Sequence, residues 1–315
     1  MLVLFGALVV VLLSVWAIRP SGHHEYPVKP ITIVIGFNVG GGTDLAGRVL
    51  AKELQSVLGV PVLVENQSGN ASMDAALTVA RSRPDGYTLW FGSIGTLVLK
   101  RALGESEVDF FEDMVTAGTV TRLVPAVVVA SDSPYQTVQD LIADAQARPG
   151  ELRWAYAGIR SAFTVQALAF IRANELDVQG VHMPGDGGSP KIPEGIDFSV
   201  RNQNSAARFP TTLRVLAGFR DTRTELINTN IPALGELGIQ FTQIDSPLGV
   251  LMPRKVPEDV RARLEEAIGQ AVQSRLFVDG LQSLAFPVVY EASEQVVKTA
   301  AEIQINVETL DWLIK

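Results

Sequence analysis

Phe37 to Leu54 reads FNVGGGTDLAGRVLAKEL, and this stretch decides the fold. Just upstream, Ile31 to Phe37 is a continuous apolar run rich in β-branched residues, the pattern of a parallel strand covered on both faces. Downstream, Leu45, Val49, Leu50, Leu54, Val57 and Leu58 recur at helical spacing, and Gly59 closes the run. Thr43 is placed to cap this helix, and Asp44 suits its first turn. Gly40, Gly41 and Gly42 therefore sit at the carboxyl end of a strand and the amino end of a helix, the edge at which open α/β sheets bind ligands. Glycine lets the backbone come close to a ligand, and a first helical turn offers unpaired N–H groups at the positive end of a dipole. An anion site is the expectation; a tight turn without a ligand is the alternative that the loop by itself leaves open.

The residues narrow the anion. A nucleotide-phosphate loop requires a Lys after its glycines, and none follows here. Gly40, Gly42 and Gly47 do not give the dinucleotide spacing. Asp44 would repel a dianionic phosphate more than a carboxylate, so a carboxylate held by neutral donors is favoured.

Outward from the loop, the pattern continues as strand (Val60 to Glu65), helix (Ala71 to Arg81), turn (Pro84-Asp85-Gly86) and strand (Tyr87 to Gly92). Such βαβ succession builds a parallel sheet through right-handed crossovers. A second cluster follows, with strands at 126–130, 152–157, 178–182, 197–200 and 213–218, and helices at 137–147 and 163–174. Pro247 to Pro253 reads as a strand that returns to the first cluster, followed by helices from Val256 to about Ser274 and from Ser293 to about Leu313. Two clusters without a flexible linker imply two lobes with a cleft between them. The expected division is residues 26–130 with 246–315 in lobe 1, and residues 131–245 in lobe 2.

The chain has 315 residues, 47% hydrophobic, with a net charge of −8. Nucleic acid is excluded as a partner, because its phosphates demand clustered Lys and Arg. There are no cysteines, which removes disulfides, thiolate metal sites and cysteine nucleophiles. Leu2 to Ile18 carries no charge and would rise about 25 Å as a helix. Residues 1–25 are therefore expected to be a signal sequence or membrane anchor with its linker, and the rest an exported domain. No basic residue precedes the apolar run and no small-x-small cleavage site follows it, so cleavage is left open. The three histidines are His23 and His24, in the linker, and His182, at a strand end. Neither HExxH nor GxSxG occurs, so hydrolysis is not expected, and no loop alternates oxygen ligands as calcium sites do. No cofactor or metal is expected. Trp90, Trp154 and Phe110-Phe111 read as core.

Several motifs together resemble a known family. YPVKPITIVIGF, GGGTDLAGRVLAKEL, GVPVLVEN, RPDGYTLWFGS, TVQDLIADAQARPGELRWAYAG and PLGVLMPRKVPEDVRARLEEAIGQAV stand in the order found in the substrate-binding proteins of tripartite tricarboxylate transporters, the Bug-type receptors. The resemblance runs from Tyr26 to the C-terminus. It implies a periplasmic, monomeric, two-lobed α/β clamshell of the type II periplasmic-binding-protein kind, each lobe a mostly parallel sheet flanked by helices. It implies capture of a small carboxylate, a di- or tricarboxylate or related organic acid, and delivery to membrane permease subunits. A sensor that presents its closed form to a membrane partner without transport is the alternative.

The ligand would be gripped by Asn38, Gly40, Gly41, Gly42, Thr43 and Asp44 in the first loop and by Ala157, Gly158, Arg160 and Ser161 in the second. Ser93 faces the same edge, and Asp186 and Asn202 belong to the second lobe's side of the cleft. This sequence departs from the family at Asn38-Val39 ahead of the glycines, at Gly158 to Phe163, at Pro184 to Gly187, and at Arg201 beside Asn202. Arg160 and Arg201 are candidates for a second carboxylate, and Asp186 for an amino group.

Overall fold

The computed structural model describes residues 26–156, 161–183, 189–223 and 231–310. The expected signal or anchor segment lies outside these residues, as do Ala157, Gly158, Arg160 and Asp186. Among the described residues no helix is long and apolar enough to cross a membrane.

The first sheet contains β1 (Ile31–Ile35), β2 (Val62–Asn66), β3 (Thr88–Ser93), β4 (Met114–Leu123) and β10 (Ser246–Pro253), in the order β2-β1-β3-β10-β4. The second contains β5 (Pro125–Ala130), β6 (Arg153–Tyr156), β7 (Gln179–His182), β8 (Phe198–Asn202) and β9 (Leu213–Gly218), in the order β7-β6-β8-β5-β9. The two orders are the same pattern repeated. Each sheet has two parallel pairings, β1 with β2 and β3, and β6 with β7 and β8. The other two pairings in each, made by β10 and β5, are antiparallel. The sheets are thus mixed rather than mostly parallel, because the strand arriving from the other lobe enters each one in reverse. The fold is the expected two-lobed α/β clamshell.

Val124 alone separates β4 from β5. The strand at 126–130, expected in the first lobe, pairs with β8 and β9 and so lies in the second sheet. The pairing partners, and not the hydrophobic run, reveal where the chain changes sheets.

Helix α1 (Gly42–Leu58) lays Ala46, Leu50, Ala51 and Leu54 on the Ile31, Ile33, Ile35 and Phe91 face of the first sheet. Gly47 makes the close approach possible, since a Cβ there would lie 2.4 Å from Ile35 Cδ1. On the opposite face lie α2 (Met73–Ala80), α3 (Ile94–Ala102), the single turn α4 (Phe110–Asp113) and, far along the chain, α10 (Ser293–Glu308). Trp90 is fully buried in that layer. In the second lobe α5 (Val138–Ala147) and α6 (Ala162–Ala173) cover one face with a core that includes Trp154, Phe170 and Phe198. Among the described residues the other face carries the short α7 (Gln203–Arg208) and a strap, residues 189–192, with a core of Ala126, Val128, Ala206 and Leu213. After β10, α8 (Glu258–Ala271) and α9 (Arg275–Ser283) return the chain to the first lobe's α1 face.

Candidate ligand-binding site

The first loop is built around a buried carboxylate. Asp44 has no exposed surface. Its oxygens accept the Gly40 N–H at 2.8 Å, the Arg48 Nε–H at 3.0 Å and the Asn66 Nδ2–H at 2.8 Å. Burial alone would raise its pKa. The hydrogen bonds from Arg48, Gly40 and Asn66, with the guanidinium charge, outweigh burial and hold the carboxyl below its ordinary range. Asn66 also donates to the Phe37 carbonyl at 2.9 Å, and Ser68 Oγ donates to Asn38 Oδ1 at 2.7 Å. Asp44 therefore faces into the loop as its internal anchor, with its charge paired to Arg48.

The helix that follows is open at its N-terminus. Gly41, with φ −69° and ψ 161°, is the capping residue, and no side chain caps the turn. Thr43, expected as the cap, lies inside the first turn and is buried, because the helix begins earlier, at Gly42. The N–H groups of Gly42, Thr43 and Asp44 have no hydrogen-bond partner among the described residues. Gly40 stands at φ +82°, which a glycine adopts without strain. Beside it Val39 is 71% exposed, an apolar side chain at the loop tip.

Two other helices at the junction of the lobes, α3 and α6, are capped by side chains, whereas α7, which follows Asn202, is not. Ser93 ends β3 and accepts the Thr96 N–H at 3.2 Å; Ser161 precedes α6 and accepts the Thr164 N–H at 3.2 Å. α3 and α6, which these serines cap, pack against each other across the lobes. Asn202 ends β8, and its Oδ1 accepts the Val124 N–H at 3.2 Å, so it touches the first crossover between lobes. The first loop thus gathers Asn38 and Gly40 through Asp44, while Ser93, Ser161 and Asn202 stand where the lobes join.

Arg201 does not face the cleft. It is 1% exposed; Nε donates to Ser199 Oγ at 2.7 Å, Nη1 to the Ser189 carbonyl at 2.8 Å and Nη2 to the Lys191 carbonyl at 3.0 Å. Strand alternation sends its side chain to the strap face, where it pins the strap. Among the described residues no group of His, Asp and Glu is arranged to hold a metal ion. His182 is exposed at the end of β7 and stacks on Tyr156 at 5.3 Å.

Several residues of this region escape a reading of motifs. Arg122, at the end of β4, pairs with Asp245 at 2.7 Å and with Glu291 at 2.8 Å, which ties both crossovers together. Asn204 Nδ2 reaches from α7 to the Leu284 carbonyl in the first lobe at 3.4 Å. Phe286 supports the loop from below, 3.3 Å from where a Gly42 Cβ would stand. Gln166 is buried inside α6. Only Gln166 carries a signal in the sequence, as a polar residue interrupting the apolar AFTVQALAF.

Two lobes joined by two crossovers, with an uncapped glycine-lined helix start at the carboxyl edge of the first sheet, form the frame of a solute-binding protein of the clamshell kind. The family model described as tripartite tricarboxylate transporter family receptor matches residues 46–310, and the chain belongs to that family, as a receptor rather than an enzyme. A protein of the gbd 5' region of Cupriavidus necator is 30% identical over 285 residues, covering 88% of this chain and 85% of that protein. Protein BugT of Bordetella pertussis is 28% identical over 297 residues, covering 90% and 89%. Among solved structures, an adipate-bound protein of Rhodopseudomonas palustris superposes with a TM-score of 0.80 at 21% identity, covering 92% of this chain and 98% of that one. A malate-bound protein of the same organism gives 0.76 at 24%, covering 92% and 100%. At these identities the superpositions establish the shared fold.

Proposed function

We propose that the protein is a periplasmic receptor that captures a small organic carboxylate in the inter-lobe cleft and passes it to the membrane permease of a tripartite tricarboxylate transporter. The observation that carries this is the α1 N-terminus. Among the described residues three backbone N–H groups have no partner there, no side chain caps the turn, and the Asp44 carboxylate is already committed to Arg48. A carboxylate fits this arrangement through hydrogen bonds and the helix dipole. Malate and adipate in two proteins of the same fold support that class.

In this reading Asn38 and Gly40 through Thr43 contact the ligand, Asp44 holds the loop in shape, and Ser93, Ser161 and Asn202 complete the cleft from the crossover side. The carboxylate meets donors from both lobes only when they are close, so it shifts the population towards the closed form. The test is a thermal-shift and calorimetric screen of mono-, di- and tricarboxylates, aromatic acids and acidic amino acids. A ligand at one hundred times its dissociation constant adds about 2.7 kcal/mol. A selective acid supports the reading; stabilisation only by uncharged solutes overturns it.

A further inference from the structure

Helix α6 belongs to two hydrophobic cores at once. Ala162, Val165 and Ala169, spaced to form one stripe, lie in the first lobe's core with Leu97, Val98, Ile244 and Leu251. Ala167 and Phe170, further round the helix, lie in the second lobe's core with Trp154 and Val200. Gln166 stands between the stripes with no exposed surface. Its Nε2 donates to the Ile244 and Ala162 carbonyls, each at 3.1 Å, and its Oε1 accepts the Ile244 N–H at 3.1 Å. One side chain thus pairs with both backbone groups of a residue on the second crossover, as a neighbouring strand would. α3 presses on the same crossover, since a Cβ on Gly95 would stand 2.0 Å from the Asp245 carbonyl oxygen.

We propose that α6 is the pivot of lobe closure and that Gln166 is the positioning residue that keeps the α6 N-terminus fixed against α3 and the second crossover while the second sheet turns. This rests on the reading of the protein as a closing receptor. The physical reason is an asymmetry between contacts. Apolar layers slide at small cost, whereas releasing Gln166 from Ile244 would leave the buried amide oxygen and two buried backbone groups unpaired, which is expensive, with only the bond to Ala162 kept. The Asn204–Leu284 contact across the lobes is a single hydrogen bond at 3.4 Å and opens easily. Motion therefore concentrates at Asn204 and is excluded at Gln166. Ser161, about a turn and a half before Gln166, stays with the first lobe, so the anion meets one preset wall and one moving wall.

The chain has no cysteine, so introduced pairs can be spin-labelled without background. One pair is Arg101→Cys on α3 with Ala173→Cys on α6; the other is Lys52→Cys on α1 with Ala147→Cys on α5; all four positions are exposed. In ligand-free protein the α3–α6 distance distribution is expected to be narrow and the α1–α5 distribution broad. Gln166→Leu is expected to widen the α3–α6 distribution towards the width of the other pair, and Gln166→Glu, which keeps an acceptor for Ile244, to fall between. An α3–α6 distribution as broad as the α1–α5 one in otherwise unaltered protein overturns the proposal even if the variants do not fold. So does a Gln166→Leu protein whose α3–α6 width is unchanged. Absence of any carboxylate binding in calorimetry would sink the receptor reading and leave these ligand-free distances to decide the pivot.

Discussion

Gly41 carries the sharpest prediction at the scale of single residues. Its φ of −69° suits any L-residue, and an added Cβ would meet only the Asn38 carbonyl, at 3.1 Å. Gly41→Val therefore folds with a small loss of stability, while its side chain enters the space in front of the unpaired N–H groups. Calorimetry with a ligand from the screen is expected to show binding abolished, with the melting transition kept. Gly40 behaves in the opposite way. Nothing crowds a Cβ there, but φ is +82°, so Gly40→Ala loses about 1–2 kcal/mol from backbone conformation alone. Asp44 adds a pH dependence. Its folded carboxyl titrates below its unfolded value, so its contribution to stability is present above the ordinary carboxylate range and is lost as pH falls through the folded pKa. Asp44→Asn is expected to lose about 1–3 kcal/mol at neutral pH and to flatten the acid limb of the stability curve, read by urea melts from neutral pH downward.

Among elements, the parts that sequence revealed are those whose pattern is local. β1, α1, β2, β3 and β10 were legible because apolar period and glycine punctuation coincide. β4 was not, although it is the longest strand at 10 residues, because its Thr116, Thr119 and Thr121 look polar. Their hydroxyls are buried and donate to the carbonyls of Val250, Val289 and Pro287, partners more than 130 residues away. α3 opens with Ile94-Gly95-Thr96 directly after a strand, so β-branched residues and a glycine hide a helix start that only the Ser93 cap marks. At the site, the glycines at the start of α1 were legible as motif, but the capping role of Ser93 and Ser161, read from the sequence as ligand contacts, and the direction of Arg201 were not. Strand alternation around it depends on which face the strap covers. That strap yields the prediction at this scale. Arg201→Met leaves the Ser189 and Lys191 carbonyls without their guanidinium donors. A loss of about 2–4 kcal/mol is expected, little of it restored by Arg201→Lys, whose ammonium cannot reproduce the planar fork. Urea unfolding of both variants checks this; a Lys variant as stable as the parent would show that charge, and not the fork, matters.

For the molecule as a whole, the decisive contact is the one that joins its two crossovers. Arg122 leaves the first lobe, Asp245 re-enters it, and Glu291 lies beside both, all three side chains at least four-fifths buried. Burial raises the Glu291 pKa, with Asp245 adding to the rise and Arg122 opposing it. Burial likewise lowers the pKa of Arg220 nearby, against the attraction of Asp245. A carboxyl whose folded pKa lies above its unfolded one loses stabilisation as pH rises between the two values, so Glu291 is least favourable here once it is ionised. Removing the cation by Arg122→Met leaves two buried carboxylates side by side, a change worth about 3–5 kcal/mol at neutral pH. The same change drives the Glu291 pKa further up and widens the window in which lowering pH restores stability. The expected result is a variant that is strongly destabilised at pH 8 and recovers part of the difference at pH 5, with urea melts of both proteins at the two pH values as the measurement. A deficit that does not depend on pH would mean that Arg122 acts through packing alone, and that charge at the crossovers plays no part in holding the lobes together.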